Sequence, residues 1–191
     1  MPERSGRVDM LSAEAAETAA KEHGLPDAMA RLNVFRTLLR RPKTAKATCD
    51  LLFSLLFGAE LSDRLRELVI MRIGWATGCD YEWTQHWPIA QDVYGCNAEE
   101  LLAVRAWRDS EIFDDTDRAV LAATDEMLEH GDLGDDTWLR CKEALGEPAC
   151  IDLMAAIGTW GMISKLARGL RIPLEEGVES WPPDDRASPA A

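Results

Sequence analysis

Residues 67–86 read ELVIMRIGWATGCDYEWTQH, and this stretch decides both the fold and the expected functional site. Its second half contains Cys79, Glu82 and His86. If that half is helical, successive residues turn by about 100°, so these three side chains share one narrow face. Glu67 lies in the preceding run, which is mostly apolar. A thiol, two carboxylates and an imidazole on two buried helices form a constellation that is suited to proton transfer.

Outward from this stretch, the chain reads as a series of amphipathic helices separated by glycine, proline and capping residues. No run alternates with period two for long enough to predict a strand, so we predict a single-domain, all-α fold. We expect residues 1–26 to form a polar, partly helical arm and residues 27–172 to form the helical domain. Residues 173–191 should be an extended or disordered acidic tail, in which Trp181 is an apolar anchor.

Glycines in the helical pattern predict one helix end and one site of close helix packing. Gly78 should end the helix that contains Glu67, because glycine readily adopts the left-handed conformation at a helix terminus. Gly158 and Gly161 lie in the last predicted helix. We expect them to allow a neighbouring backbone to approach that helix closely.

Composition excludes several classes of function. The net charge is −13 and no cluster of lysine and arginine stands out, which argues against nucleic acid and anionic membranes as partners. The most apolar run, 51–59, is far too short to span a bilayer, and no secretory signal is recognisable. Five cysteines at irregular spacing are typical of a reduced cytoplasmic chain and lack zinc-type spacing. We therefore expect a cytoplasmic protein without a metal or a cofactor.

The motif resembles that of the carboxymuconolactone decarboxylase/AhpD-like superfamily. The thiol peroxidase branch of that superfamily carries Glu-x11-Cys-x-x-Cys-x3-His, and Glu67, Cys79 and His86 match three of these positions. Glu82 occupies the position of the second cysteine, as in a Cys-x-Tyr-Glu-Trp-x-x-His variant of the decarboxylase-like members. The resemblance covers roughly residues 32–173. It implies an AhpD-like helical bundle that assembles as a homo-oligomer, either a trimer or a hexamer.

The missing second thiol bears on the reaction. A peroxidase cycle in which a neighbouring cysteine resolves the sulfenic acid needs two thiols within reach, and Glu82 cannot form a disulfide. We therefore favour cofactor-independent acid–base chemistry on a small carbonyl or lactone acid: decarboxylation, isomerisation or lactone opening. In this interpretation His86 is the acid and base, and Glu82 orients it. Glu67 relays protons, and Cys79 is a polarisable wall or a secondary donor.

Three further residues are expected to contact the small-molecule substrate. Tyr81 is the phenolic donor near the motif, Trp83 supplies an apolar wall, and Arg72 is the cation that could bind a substrate carboxylate. Cys79 itself should lie in the first turn of its helix. There the unpaired N–H groups and the helix dipole would lower the pKa of the thiol and favour the thiolate.

Two other functions stay open at this stage. The chain could be a one-Cys thiol peroxidase that uses an external thiol, or a non-catalytic oligomeric scaffold that binds a ligand. Each motif residue also has a purely structural interpretation. Glu82 and His86 could be a helix-stabilising pair, Cys79 a small buried apolar residue, and Glu67 a buried acid bonded to backbone or arginine.

Overall fold

The computed structural model describes residues 6–180, 184 and 186–190, so Trp181 lies outside the described residues. Within them every regular element is a helix, which confirms the all-α fold class. The helices are α1 (Ala13–Glu22), α2 (Asp27–Ala30), α3 (Asn33–Leu38), α4 (Pro42–Phe57), α5 (Asp63–Thr77), α6 (Asp80–Asp92), α7 (Ala98–Ala103), a 3₁₀ helix (Val104–Asp109), α8 (Asp115–His130), α9 (Asp135–Leu145) and α10 (Glu147–Leu170).

Helix α5 is the centre of the fold. It contacts α6, α8 and α10, and ten of its fifteen residues are buried. The hydroxyl of Ser62 accepts the backbone N–H of Leu65 and caps the amino terminus of the helix. Gly78 ends the helix in the left-handed conformation, with φ of 66°, as the sequence predicted. Any polar side chain on α5 therefore needs a partner inside the protein, because water reaches little of this helix.

Helix α6 follows α5 after only Gly78 and Cys79. The backbone N–H of Cys79 donates to the carbonyl of Gly74 at 2.8 Å, which closes the turn. A link this short makes α6 fold back along α5, as in other pairs of antiparallel helices. The turn therefore places the motif residues of α6 against the buried acid of α5.

Helix α10 is long and apolar enough to pass a length-and-composition test for a membrane-spanning helix. However, 56% of the tested window is buried inside the fold, where α10 contacts α4, α5, α6, α8 and α9. These contacts explain its apolar character as that of a core helix.

The acidic tail lies along the helical domain. Its described residues form no helix or strand, but hydrogen bonds join them to the body. The hydroxyl of Ser180 donates to Asp80 at 2.7 Å, and the hydroxyl of Ser188 donates to the backbone carbonyl of Trp75 at 2.7 Å. The described part of the tail is thus extended and anchored.

Some large apolar side chains remain exposed on the protomer. Phe57 and Ile151 are examples from α4 and α10, and Val93 and Leu139 lie elsewhere on the surface. Contacts between copies of the chain would cover such residues. The expected trimer or hexamer stays a prediction.

Helices α5 and α6 approach each other closely at Gly74 of α5. A Cβ at this position would lie 3.2 Å from the backbone nitrogen of Trp83 and 3.4 Å from its Cα. The expectation for Gly158 and Gly161 was wrong, because a Cβ at either position would meet no described atom within 4 Å. Two glycines three residues apart often allow close helix packing, but no neighbouring helix approaches α10 at these two positions.

Replacing Gly74 by alanine should therefore destabilise the protein. The new methyl group meets backbone rather than a movable side chain, so the two helices must separate, at a cost of about 1–3 kcal/mol. The matched control is Gly158→Ala, which fills open space and should change the stability by less than about 1 kcal/mol, in the stabilising direction. Urea unfolding of both variants measures the difference. Equal stabilities would contradict the close approach of α5 and α6.

Candidate functional site

An apolar cavity of about 230 Å³ opens beside α6. Glu82, Gln85, His86 and Ile89 line it from α6, at the spacing that puts residues on one helix face. The remaining wall is aliphatic and aromatic and comes from α2, α3, α4, α10, the loops between helices and Tyr81 of α6. Its residues are Met29, Leu32, Val34, Phe35, Leu52, Leu56, Tyr81, Tyr94, Trp160 and Ile163.

His86 is held by the buried acid of α5. Its Nδ1 lies 2.8 Å from Oε2 of Glu67, and the Glu67 side chain has no exposed surface. A carboxylate without water needs donors from the protein, and the imidazole supplies one. This hydrogen bond fixes the orientation of the ring.

The second ring nitrogen of His86 faces the cavity side. The indole N–H of Trp160 donates to Nε2 at 3.3 Å. An indole nitrogen can only donate, so Nε2 is the accepting nitrogen and Nδ1 carries the proton that is donated to Glu67. Trp160 was not identified from the sequence, because it is 74 residues from His86 and no local pattern connects them.

Glu82 is the second carboxyl group of the site. Its Oε2 lies 3.8 Å from Nε2 of His86 and has no hydrogen-bond partner among the described residues. Burial, and in addition the charge of Glu67, raises the pKa of Glu82 to about 7, although His86 opposes this rise.

The two side chains titrate together. Burial lowers the pKa of His86, but Glu67 and Glu82 outweigh it and the net shift is upward. The Glu82–His86 pair therefore has a proton to exchange as the pH passes the raised Glu82 pKa of about 7, and a pair with that property is suited to exchange protons with a ligand.

Arg66 stabilises the charge of Glu67. Its guanidinium lies 3.4 Å from Oε1 of Glu67, 2.5 Å from Oδ1 of Asp63 and 4.5 Å from the ring centre of Tyr94. Arg66 is itself buried, so these contacts are largely shielded from solvent. Sequence reasoning missed Arg66, because adjacent residues on a helix normally point in different directions.

Glu175 of the tail closes one side of the site. One carboxylate oxygen accepts the hydroxyl of Tyr81 at 2.7 Å and the backbone N–H of Asn33 at 2.8 Å. The other accepts the side-chain amide of Gln85. Sequence reasoning missed this residue, because an acid in a proline-rich acidic segment carries no signal of a specific contact.

The hydrogen bond that orients His86 comes from a different acid than expected. Glu67 makes the orienting hydrogen bond to His86 that the sequence interpretation assigned to Glu82. At position i−4 on the same helix, the Glu82 carboxylate reaches only to 3.8 Å from the ring. Tyr81 lines the cavity, but its hydroxyl donates to Glu175 and accepts the N–H of Val34, so its proton is directed away from the cavity.

The expected thiolate at Cys79 is not supported. Cys79 is the amino-terminal cap of α6, where the backbone N–H of Glu82 and the hydroxyl of Ser164 favour the thiolate. Burial, together with the Glu82 charge, outweighs these contacts and raises the pKa of the thiol to about 11. Cys79 also lies outside the apolar cavity and faces the cleft beneath residues 172–178.

Arg72 and Trp83 are corrected as substrate contacts. The guanidinium of Arg72 binds Asp125, with its Nε 2.6 Å from Oδ1, and also donates to the backbone carbonyl of Val104. Trp83 packs against Trp75 and Trp87, with ring centres 5.7 Å and 6.4 Å away. Neither side chain lines the cavity. In the described part of the chain, no cluster of three His, Cys, Asp or Glu side chains is arranged to hold a metal ion.

Comparison with known proteins identifies related sequences and folds. The model of the carboxymuconolactone decarboxylase family matches residues 42–126. The comparison with curated proteins finds no match.

Solved structures share the fold at low sequence identity. The debrominase Bmp8, as a cysteine-to-alanine variant in complex with 2,3,4-tribromopyrrole, has 18% identity and a TM-score of 0.69 and covers 91% of this chain and 94% of its own. An AhpD-core, peroxidase-related protein from Ralstonia eutropha JMP134 has 17% identity and a TM-score of 0.64, with 90% and 93% coverage. A protein of unknown function from Agrobacterium tumefaciens, described as a candidate antioxidant defence protein AhpD, has 21% identity and a TM-score of 0.65, with 72% and 94% coverage.

The variant Glu67→Gln should lower the pKa of His86. Glu67 is the charge that raises this pKa, and an amide keeps the shape of the side chain without the charge. NMR titration of the imidazole measures the effect, with the exposed His23 and His130 as references in the same spectra. Glu143→Gln, which removes an exposed carboxylate on α9, should leave the His86 titration unchanged. An unchanged His86 titration in Glu67→Gln would contradict the pairing.

Cys79 should resist alkylation in the folded protein. Burial keeps it as a neutral thiol well above neutral pH, and all five cysteines are free and buried. Iodoacetamide labelling followed by mass spectrometry should show little modification at pH 7.5 and complete modification after unfolding in urea. Rapid labelling of Cys79 alone near neutral pH would contradict the structure.

Proposed function

We propose that this chain, which belongs to the carboxymuconolactone decarboxylase/AhpD-like superfamily, is an enzyme that performs cofactor-independent proton transfer on a small molecule. One observation carries the proposal: the accepting Nε2 of His86 faces an apolar cavity while Nδ1 is anchored to a buried carboxylate. An imidazole oriented in this way, beside the Glu82 carboxyl whose pKa is raised to about 7, is the usual design of a general acid and base.

In the proposed reaction, His86 and Glu82 exchange protons with the substrate. Nε2 removes a proton from a carbon or heteroatom of the substrate, and the electron pair of the broken bond remains on the substrate as enolate-like charge. Glu67 stabilises the imidazolium that forms, because its carboxylate accepts the proton on Nδ1. The same proton then returns at another position of the substrate, directly or through Glu82. Isomerisation and eliminative opening of a lactone need both proton transfers, whereas in decarboxylation the electron pair comes from the C–C bond that breaks as CO2 leaves, and only the final protonation is needed.

The second candidate is a one-Cys thiol peroxidase. The similarity to peroxidase-related structures favours it, and Cys79 is the matching cysteine of the motif. Against it stand the raised pKa of the Cys79 thiol and its position outside the cavity. Peroxide attack requires a thiolate that the peroxide can reach.

A non-catalytic ligand binder is the third candidate. The apolar cavity alone would suffice for that role. The bound tribromopyrrole of Bmp8 is a small ring held by a protein of the same fold, and it supports a ligand of similar size here. However, a binder has no need for a buried Glu67–His86–Glu82 cluster, which is costly to bury.

The neutral compound 5-nitrobenzisoxazole tests the proposal without knowledge of the natural substrate. It opens when a base removes its ring proton, so the wild-type protein should accelerate the opening. The rate should rise with pH through about 7 and then level off, because the Glu82–His86 pair must lose its shared proton before it can act as a base. The measurement is the absorbance of the phenolate product across this pH range.

Variants identify the base. His86→Ala should reduce the rate by about 100-fold or more, whereas Cys79→Ser should leave it within about two-fold. Equal rates in wild type and His86→Ala would contradict acid–base catalysis by this residue. Consumption of cumene hydroperoxide that disappears in Cys79→Ser would support the peroxidase instead. If the protein is inactive in both assays, the non-catalytic ligand binder is the remaining candidate.

A further inference from the structure

The described wall of the apolar cavity has no permanently charged cation. Of its fourteen lining residues, none is lysine or arginine, and the ionisable ones are Glu82, His86 and two tyrosines. Arg66, the guanidinium beside Glu67, lies behind the ring of Tyr94 and binds Asp63. A ligand carboxylate would therefore enter an apolar space in which no lysine or arginine can pair with it and the imidazole of His86 is already bonded to Glu67, which is unfavourable.

The charges next to the cavity add to this penalty. Asp63, Arg66 and Glu67 together carry one net negative charge. The Glu82–His86 pair adds none while it shares one proton, and it adds a negative charge once that proton is lost. With at most one proton on the Glu82–His86 pair, an anionic ligand would thus meet a site that is already negative.

The polar side chains of the cavity wall include two acceptors, the Glu82 carboxyl and the Nε2 nitrogen of His86, beside the hydroxyls of Tyr81 and Tyr94. Oε2 of Glu82 is buried and has no hydrogen-bond partner among the described residues, and a buried oxygen of this kind favours a ligand that donates to it. Nε2 of His86 is also an acceptor, and the hydroxyl proton of Tyr81 is used by Glu175.

The size of the cavity limits the rest of the ligand. Its volume is about 230 Å³, whereas an engineered apolar cavity of about 150 Å³ in another protein holds benzene. A single ring with small apolar substituents fits this space, and the aliphatic and aromatic wall complements it.

We propose that the cavity takes an uncharged small ring compound that bears one N–H or O–H donor, which Glu82 accepts, and that it rejects carboxylates. This specificity rests on the proposed function in that it names the substrate class of the same site. It removes decarboxylation of a free carboxylate from the reactions above and leaves isomerisation or ring opening of a neutral compound.

Three matched probes test the proposal: phenol, toluene and benzoate, each titrated into the full chain by calorimetry or ligand-observed NMR at pH 8. Phenol should bind at least about ten-fold more tightly than toluene, because only phenol satisfies Glu82, and at least about ten-fold more tightly than benzoate. Glu82→Leu should bind phenol and toluene with similar affinity, since the acceptor is gone. Glu82→Gln, which keeps an acceptor oxygen, should retain most of the preference for phenol and confirms that the cavity is intact.

The proposal is overturned if phenol fails to bind, if toluene or benzoate binds as tightly as phenol, or if Glu82→Leu keeps the preference. These outcomes are separate from the fate of the proposed function. Opening of 5-nitrobenzisoxazole that depends on His86 would preserve proton transfer even if the ligand selectivity were wrong. Selective phenol binding without any such catalysis would preserve the ligand class and contradict the enzyme.

Discussion

The buried charge of Glu67 is the constraint on which the rest of the site depends. A carboxylate with no exposed surface, on the most enclosed helix of the fold, is unstable unless donors surround it. His86 and Arg66 supply those donors. The short turn after α5 brings His86 to the acid, and Arg66 comes from α5 itself. Removing either partner would leave the charge poorly compensated, so the fold and the site stabilise each other.

The resulting imidazole has two different sides. Nδ1 faces a fixed carboxylate, and Nε2 faces Glu82, Trp160 and an apolar cavity. The asymmetry fixes the tautomer and leaves Nε2 as the basic nitrogen, for which a ligand proton competes with the indole N–H of Trp160 at 3.3 Å. Glu175 contributes from a distance, because it binds Tyr81 and Gln85 and thereby determines which polar atoms of the wall stay available. The proton transfer that the site can perform thus depends on which of its polar atoms already have hydrogen-bond partners.

Local sequence patterns predicted what depends on helical periodicity. The all-α class and the end of α5 at Gly78 follow from apolar spacing and from the left-handed preference of glycine, and both were correct. The meeting of Glu67, Glu82 and His86 also follows, because a short turn connects their two helices. The sequence did not reveal which acid bonds to the ring. The answer depends on a difference of about 1 Å between two carboxylate–imidazole distances, which are 2.8 Å for Glu67 and 3.8 Å for Glu82.

Contacts between distant segments were beyond such reasoning. Trp160 and Glu175 reach the site from α10 and the tail, and nothing in their local sequence marks them. The thiol of Cys79 shows a second limit. Its position at a helix start predicted a lowered pKa, but burial has the larger effect, and burial is a property of the whole fold. Gly74 and Gly158 show a third limit of sequence reasoning. Both are glycines within helices, but Gly74 lies in close contact with a neighbouring helix and Gly158 faces open space.

The tautomer of His86 is the most direct test of this account. Nitrogen-15 NMR of the imidazole rings distinguishes a protonated from an unprotonated ring nitrogen. At alkaline pH, after the Glu82–His86 pair has lost its shared proton, the proton should remain on Nδ1 in slow exchange with solvent, and Nε2 should be bare. A proton found on Nε2, or a ring that averages both tautomers as free imidazole does, would contradict the anchoring of His86 by Glu67.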